Sequence, residues 1–384
     1  MQYIWMIIFW VLPLAVIVYI AWHLWCLLPL AAVWKWLIIA LGVGAFSLLF
    51  FSVARKFDTL PLGLASACYD IGTSSIMMML YMFMMFLVLD IGRLVRLVPK
   101  AWLYDNWLTA GILGALLVVI FVYGNLHYNN KVREELTLTT RKPLQKELKM
   151  VMVSDMHLGY HNRRKELARW VDLLNAEHAD MILVAGDIID GSMRPLMEEH
   201  MAEEFRRLNA PVYACLGNHE YYAGDRDAEQ FYRDAGIHLL RDSVALVNGI
   251  AIIGRDDRTN VGRKSVKELT ALPPSSPERD TKVCQHGNDA PSGAVGGAYT
   301  ILLDHQPYHL ERTEAAGIDF QFSGHTHHGQ VWPISWITDA IYECAFGEYQ
   351  RGNTRYYVSS GLGIWGGKFR IGTRSEYVVV TLRN

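Results

Sequence analysis

The 384-residue chain is short of charge and of cysteine. Asp, Glu, Lys and Arg make up only 19% of it, and the formal net charge is -2. With no basic excess, a nucleic-acid binder held by charge alone is excluded. The five cysteines (Cys26, Cys68, Cys215, Cys284 and Cys344) follow no regular spacing and form no CxxC. That excludes a disulfide framework and a thiolate zinc site, and leaves the redox compartment open. No small-residue cleavage site follows the first apolar run, which argues against a removable signal peptide. No segment announces an obligate protein partner.

What the chain has in excess is apolar sequence, 52% of its residues, and the excess is concentrated before about residue 125. Residues 3–22 form an uncharged run long enough to cross a bilayer. Further runs cover 36–54, 71–89 (rich in methionine) and 107–124. Trp5, Trp22, Trp34, Trp36, Trp102 and Trp107 stand near the run ends, as interfacial aromatics do. About four transmembrane helices are therefore expected over residues 1–130. Four crossings place both termini on one side, with Arg55, Lys56, Lys131, Arg133, Arg141 and Lys142 against Lys35, Arg93, Arg96 and Lys100 on the other. The positive-inside rule puts the larger set, and with it the C-terminal region, on the cytoplasmic side. Asp70, near the start of the third run, is a functional candidate if it lies within the membrane, and otherwise reads as an interfacial or helix-capping carboxylate.

From residue 131 to 384 the pattern changes. Short runs rich in Val, Ile and Leu predict strands at 149–154, 181–185, 212–216, 250–254, 300–303, 319–323, 356–359 and 376–382. Leu167, Trp170, Val171 and Leu174 repeat at helical spacing between them, as do Met197, Met201, Phe205 and Leu208. This alternation predicts an α/β domain of layered sheets and helices. Residues 272–297, dense in Pro, Ser, Gly and charge, read as a long surface loop containing Cys284 and His286.

The residues with metal-binding chemistry fall at strand ends: Asp155-Met156-His157, Gly186-Asp187-Ile188-Ile189-Asp190, Gly217-Asn218-His219-Glu220, Asp304-His305 and Gly324-His325-Thr326-His327. Ligand sites in α/β sheets collect beyond the carboxyl ends of strands. In extended chain, residues i and i+2 point the same way, so Asp155 with His157, and His325 with His327, are expected to converge. Asp155, His157, Asp187, Asn218, His305, His325 and His327 make an oxygen and nitrogen set without thiolate. It suits Mn²⁺, with Fe or Zn as alternatives. Seven ligands exceed one ion's needs and fit two divalent ions sharing a carboxylate.

The order DMH, GDIID, GNHE, a solitary His and GHTH resembles that of the calcineurin-like metallophosphoesterases. The stretches ILLDHQP, GHTHHGQVWP and YYVSSGLGIWG look like the branch fused to membrane helices. The resemblance covers roughly residues 148–384. It implies two mixed β-sheets sandwiched by helices, with a dimetal site at one edge. It also implies that Asp155, His157 and His327 hold one ion, that Asn218, His305 and His325 hold the other, and that Asp187 bridges them. His219 would be the proton donor, oriented by Asp190. The implied activity is hydrolysis of a phosphate ester or pyrophosphate bond by an activated water.

The substrate is less legible. Tyr221, Tyr222, Trp332, Trp336, Trp365 and Phe369 are expected to line one apolar entrance. At a bilayer surface, such an entrance suits a lipid-linked phosphate or pyrophosphate; a soluble nucleotide or phosphoprotein, or a non-catalytic regulatory role, is the alternative. Arg255, Arg258 and Arg370 are candidate phosphate contacts. His328, where relatives commonly have glycine, either touches substrate or points outward.

Overall fold

A computed structural model describes residues 11–53, 56–273 and 297–384. The 272–297 loop falls almost wholly outside them, Cys284 and His286 included, as do residues 3–10 of the first apolar run. The chain divides into two compact units, Met1–Leu126 with Gly366–Phe369, and His127–Trp365 with Arg370–Asn384.

The first unit is helical: α1 (Leu12–Leu27), α2 (Ala32–Val53), α3 (Leu62–Leu94) and α4 (Trp107–Asn129). Three helical stretches, Ala32–Ser52, Leu62–Leu94 and Trp107–Asn129, are long and apolar enough to cross a membrane, and α1 is a shorter apolar helix. At 33 residues, α3 runs for about 50 Å, well beyond the hydrocarbon thickness of a bilayer. It therefore overshoots the 71–89 run at both ends. Asp70 lies inside it, and its N-cap is Pro61, so the capping reading of Asp70 is corrected. At the other end α3 takes in Asp90, which accepts a hydrogen bond from the Tyr19 hydroxyl (2.7 Å) and lies 3.0 Å from His23 Nε2. Phe369 also belongs to this unit, packed edge-on to Phe121 (4.7 Å between centroids).

The second unit is a two-sheet sandwich. Its first sheet runs β1 (Lys131–Thr139), β12 (Ser375–Arg383), β2 (Leu148–Val153), β3 (Met181–Ala185), β4 (Val212–Cys215) and β5 (Ile237–Leu239). The second runs β10 (Gly347–Arg351), β11 (Thr354–Val358), β9 (Phe320–Ser323), β8 (Tyr299–Leu303), β7 (Ile250–Gly254) and β6 (Ser243–Val247). Both are mixed: β2, β3, β4 and β5 are parallel while β12 pairs antiparallel with β2, and β7, β8, β9 and β11 are parallel between antiparallel edges.

The period of two along each strand divides the side chains between two cores. Met150, Met152 and Leu183 meet Ile252, Ile301, Leu303 and Phe322 between the sheets. Val151, Val153, Ile182 and Val184 face the helices instead. There they meet Leu167, Trp170, Val171 and Leu174 of α5 (Arg164–Asn175), whose 3–4 spacing makes one apolar stripe. Being apolar on both faces, β3 reads as the unbroken run MILVA, as central parallel strands do.

Candidate metal centre

Five chain segments leave the ends of β2, β3, β4, β8 and β9 and converge. Two glycines permit the approach. A Cβ on Gly217 would fall 2.1 Å from Asp187 Oδ1, and one on Gly324 would fall 2.2 Å from Asp155 Oδ2. Any side chain there would displace a carboxylate of the centre.

Asp155, His157 and His327 form one group with ligand-capable atoms within 4.8 Å of one another, and Asp155, Asp187 and His305 form a second. The Nε2 atoms of His157 and His327 face each other at 3.0 Å, lying 3.9 and 3.6 Å from Asp155 Oδ1. Asp187 stands between the groups: its Oδ2 is 3.6 Å from His157 Nε2 and 3.1 Å from His305 Nε2. The His325 ring lies 5.1 Å from that of His305. Asn218 is buried, and its Oδ1 has no hydrogen-bond partner.

The donor chemistry fits cations at this position. His305 Nδ1 donates to the Ala185 carbonyl (2.8 Å), which fixes the tautomer and leaves the Nε2 lone pair aimed at Asp187. A lone pair facing a carboxylate repels it unless positive charge lies between them. Burial opposes a charge on His305, but Asp187 outweighs burial and holds its pKa well above the imidazole range; a divalent ion supplies the same positive charge. Burial pushes His325 down to about 3, aided by His305, and holds His327 well below its ordinary value, chiefly by burial and His157. Both rings are therefore neutral at neutral pH, as ligands must be. Asp187 is held well below the carboxylate range, because His305 and His219 outweigh its burial.

His219 sits at the open side. It keeps 14% of its side-chain surface exposed, against none for His157 and His305. Its Nδ1 is 3.0 Å from Asp190 Oδ1, and its backbone N–H donates to Asp187 Oδ1 (2.9 Å). Burial would lower its pKa, but Asp187 and Asp190 outweigh burial and push it up to about 9. His219 also groups with His157 and Asp187 within ligand range, so proximity alone does not separate a proton donor from a ligand. Asp190 reaches His157 as well, at 3.4 Å from Nδ1.

Two of the three arginine expectations do not fit this geometry, those for Arg255 and Arg370. Arg370 is fully buried and donates to the carbonyls of His327 (2.7 Å), Ser360 and Gly363 (3.1 Å), so it braces the loops behind the centre and offers nothing to a phosphate. Arg255 is buried against Asp304 (3.0 Å) and the Lys264 carbonyl. Arg258 lies over the Tyr308 ring, 4.0 Å from its centroid. His328 stacks on Phe346 (4.6 Å between centroids, 9° between planes) with its Nε2 3.5 Å from Asp339. The aromatic entrance divides too. The Tyr221 hydroxyl is bonded to Asp256 (2.7 Å), Tyr222 stands beside His219 (5.1 Å), Trp332 and Trp336 meet edge-on (5.4 Å), and Phe369 belongs to the helical unit.

One residue that sequence reasoning passed over is Glu220. Its fully buried carboxylate accepts from the N–H groups of Gly217 (2.7 Å), Asp187 (3.1 Å) and Ile189 (3.0 Å), and from the Tyr232 hydroxyl (3.1 Å). It ties the Asp187 loop to the Asn218 loop. The signal was its place three residues after Gly217, at the start of α6 (Asn218–Ala223), where a Glu folds back on the N-cap; Tyr232 lies on the next helix, α7 (Asp225–Ala235).

The chain is similar to several known proteins. Residues 148–329 match the family model of calcineurin-like phosphoesterases. An uncharacterized metallophosphoesterase of Aquifex aeolicus is 29% identical over 70% of this chain and 98% of its own length. A transmembrane protein with metallophosphoesterase domain from Danio rerio is 27% identical over 90% of this chain and 79% of its own. Among solved structures, a dimetal phosphatase from Danio rerio overlaps 56% of this chain and 87% of its own at a TM-score of 0.33 and 13% identity. Metallophosphoesterases of this family use a dinuclear metal site, for which the chain has candidate ligands. The chain carries a calcineurin-like metallophosphoesterase domain, joined to apolar helices long enough to cross a membrane.

Proposed function

We propose that the protein is a membrane-anchored hydrolase of phosphate ester or pyrophosphate bonds, acting on a lipid-linked substrate with its catalytic domain on the cytoplasmic side. Asp155, His157 and His327 would hold one divalent ion and Asn218, His305 and His325 a second, with Asp187 placed to serve both. Mn²⁺ is the proposed metal, on the oxygen and nitrogen ligand set. When bound, the ions supply Lewis-acid charge to the phosphoryl oxygens and acidify a water molecule.

The protein's own part is positioning and proton transfer. His219 stands at the open side of the centre and gives its proton to the leaving-group oxygen. Asp190 Oδ1 stands 3.0 Å from His219 Nδ1, so its charge keeps the ring cationic and leaves Nε2 to carry the transferred proton. Because Asp190 also reaches His157, one carboxylate orients both a ligand and the donor. No side chain needs to attack phosphorus.

The observation that supports hydrolysis best is Asp187, set between the Asp155–His157–His327 group and His305, with His219 beside it. Support for a lipid-linked substrate comes from the membrane-crossing helices on the same chain. The test is turnover by purified full-length protein with Mn²⁺ on lipid phosphates, lipid pyrophosphates, nucleotides and a chromogenic diester. Preference for nucleotides would replace the lipid reading, and no turnover on any of them with two ions bound would refute hydrolysis.

A further inference from the structure

The helix after the GHTH segment, α8 (Ile334–Ile341, ISWITDAI), is amphipathic in the inverted sense for a protein surface. At 100° per residue, Trp336, Ala340, Ile337 and Ile341 share one face, and that face is turned to solvent. Trp336 is 64% exposed, Ile337 53% and Ile341 59%, while the helix's one buried residue is Ser335. Trp332, just before the helix, is 42% exposed and packs edge-on to Trp336. Elsewhere in the sandwich unit, the described large apolar side chains that are exposed are far apart along the chain: Met197, Tyr222, Leu246 and Val261. Scattered residues of that kind need no explanation, but four within ten positions form a patch that does.

We propose that α8 is an interfacial helix that lies in the headgroup region of the bilayer and presents the metal centre to lipid-linked substrate. The occupant is identified by two observations. First, the sandwich is joined to a helix long and apolar enough to cross a membrane: β1 starts at Lys131, two residues after α4 ends at Asn129. Second, the exposed residues are two tryptophans and two isoleucines, the types that seat a helix at a membrane interface.

The helix is also mechanically continuous with the metal centre. A Cβ on Gly329 would fall 2.4 Å from Ser335 N, so the turn after His327 packs directly on the start of α8. Its Asp339 lies 3.5 Å from His328 Nε2. Tyr342, the residue after the helix, stands edge-on to His325 at 6.4 Å. Seating α8 in the interface therefore fixes the His325–His328 turn relative to the lipid surface. The delivery of lipid substrate rests on the phosphoesterase reading above; the membrane contact of α8 does not.

The experiment uses full-length protein in phosphatidylcholine–phosphatidylglycerol vesicles. A spin label is placed at Ile337→Cys and, as a water-facing control, at Asp234→Cys, with the labelled unsubstituted chain subtracted. The expected result is a label at 337 more accessible to oxygen than to an aqueous nickel chelate, and the reverse at 234. A water-accessible label at 337, or dipolar coupling between 337 labels of two copies, would overturn the bilayer contact, the latter in favour of a second copy of this chain. In parallel, Ile337→Ser/Ile341→Ser should slow hydrolysis of a long-chain lipid phosphate in vesicles by at least tenfold and leave p-nitrophenyl phosphate hydrolysis unchanged. Equal rates on the lipid would overturn substrate delivery. If the unsubstituted protein hydrolyses neither ester, the phosphoesterase reading fails, and the label still decides where α8 lies.

Discussion

Glu220→Gln isolates the contribution of a buried carboxylate that touches no ion. Glu220 Oε2 accepts from Asp187 N and Gly217 N, and Oε1 accepts from Ile189 N and the Tyr232 hydroxyl. An amide has one acceptor oxygen and one donor nitrogen. With its nitrogen at the Oε2 position, it would oppose two N–H donors. With its nitrogen at the Oε1 position, it loses only the Ile189 bond, because the Tyr232 hydroxyl can rotate and accept. The second orientation is favoured. It costs one charge-assisted bond and leaves the Ile189 N–H unpaired, roughly 2–3 kcal/mol. Glu220→Ala abandons all four donors in a buried site and should cost more, on the order of 4 kcal/mol or above. Both changes loosen the Asp187 loop, so metal affinity should fall roughly 10–100-fold, as it does when outer partners of ligands are removed. Thermal melts in detergent and metal titration followed by elemental analysis measure the two effects. If Glu220→Gln matches the unsubstituted protein in both, Glu220 does not hold the Asp187 and Asn218 loops together.

Three other substitutions test separate parts of the centre. Asp187→Asn should abolish turnover and lower metal content below two ions per chain by elemental analysis; near-normal activity with two ions would remove Asp187 from the bridge. His219→Ala should keep both ions and lower kcat roughly 10²–10⁴-fold, with a smaller loss on esters of good leaving groups such as nitrophenolate. His219 is pushed up to about 9, so its acid form is present below that pH and is lost above it. Turnover of poor leaving groups should therefore decline through an alkaline limb that is missing from the His219→Ala profile. Asp256 is bonded to Tyr221, Arg241 and Asn260. Although burial opposes its charge, these partners lower its pKa below the ordinary value. A carboxyl depressed by folding stabilises above its unfolded pKa and loses that contribution as pH falls through the folded one. Asp256→Asn should thus cost roughly 3–5 kcal/mol at pH 7, and progressively less as the pH falls below the ordinary carboxylate range, by thermal melts across that range.

The strands that the sequence pattern identified and those it missed differ in position. Each of the eight expected strands is present, within one or two residues at most ends, and each has a neighbour on both sides. The four without an expectation are β1, β5, β6 and β10, the four edges of the two sheets. An edge strand has one partner and one flank open to water, so its sequence need not be apolar. In β1, KVREELTLT, only Leu136 and Leu138 are buried, and charge at an edge protects it against pairing with another chain. The same logic explains the arginines. Sequence alone cannot tell a guanidinium facing substrate from one satisfied inside. Arg255 is satisfied by Asp304, 49 positions away, and Arg370 by carbonyls of three other segments.

The candidate residues of the centre could be picked out of the sequence, but the backbone that brings them together could not. Extended geometry at Asp155-Met156-His157 and His325-Thr326-His327 was the expected reason for convergence. Instead, Asp155 (φ 54°), His157 (φ 46°), Asp187 (φ 53°), His325 (φ 70°) and His327 (φ 48°) are all left-handed. For non-glycine residues this costs roughly 1–2 kcal/mol each, so the five together cost about 5–10 kcal/mol, comparable to the whole stability of a domain. Such strain persists where something else over-determines the conformation. Glu220 and Arg370 brace the turns from behind, and bound ions would hold them from the front. Two ions, each present at about a thousand times its dissociation constant, stabilise the folded unit by roughly 8 kcal/mol. For a unit of this size that corresponds to a melting temperature on the order of 15–30 °C higher. Chelator treatment of the full-length protein should therefore lower the melting transition of the sandwich by that order, and Mn²⁺ should restore it. If elemental analysis shows both ions removed and the transition does not move, the protein alone holds the left-handed turns, and the ions contribute chemistry without stability.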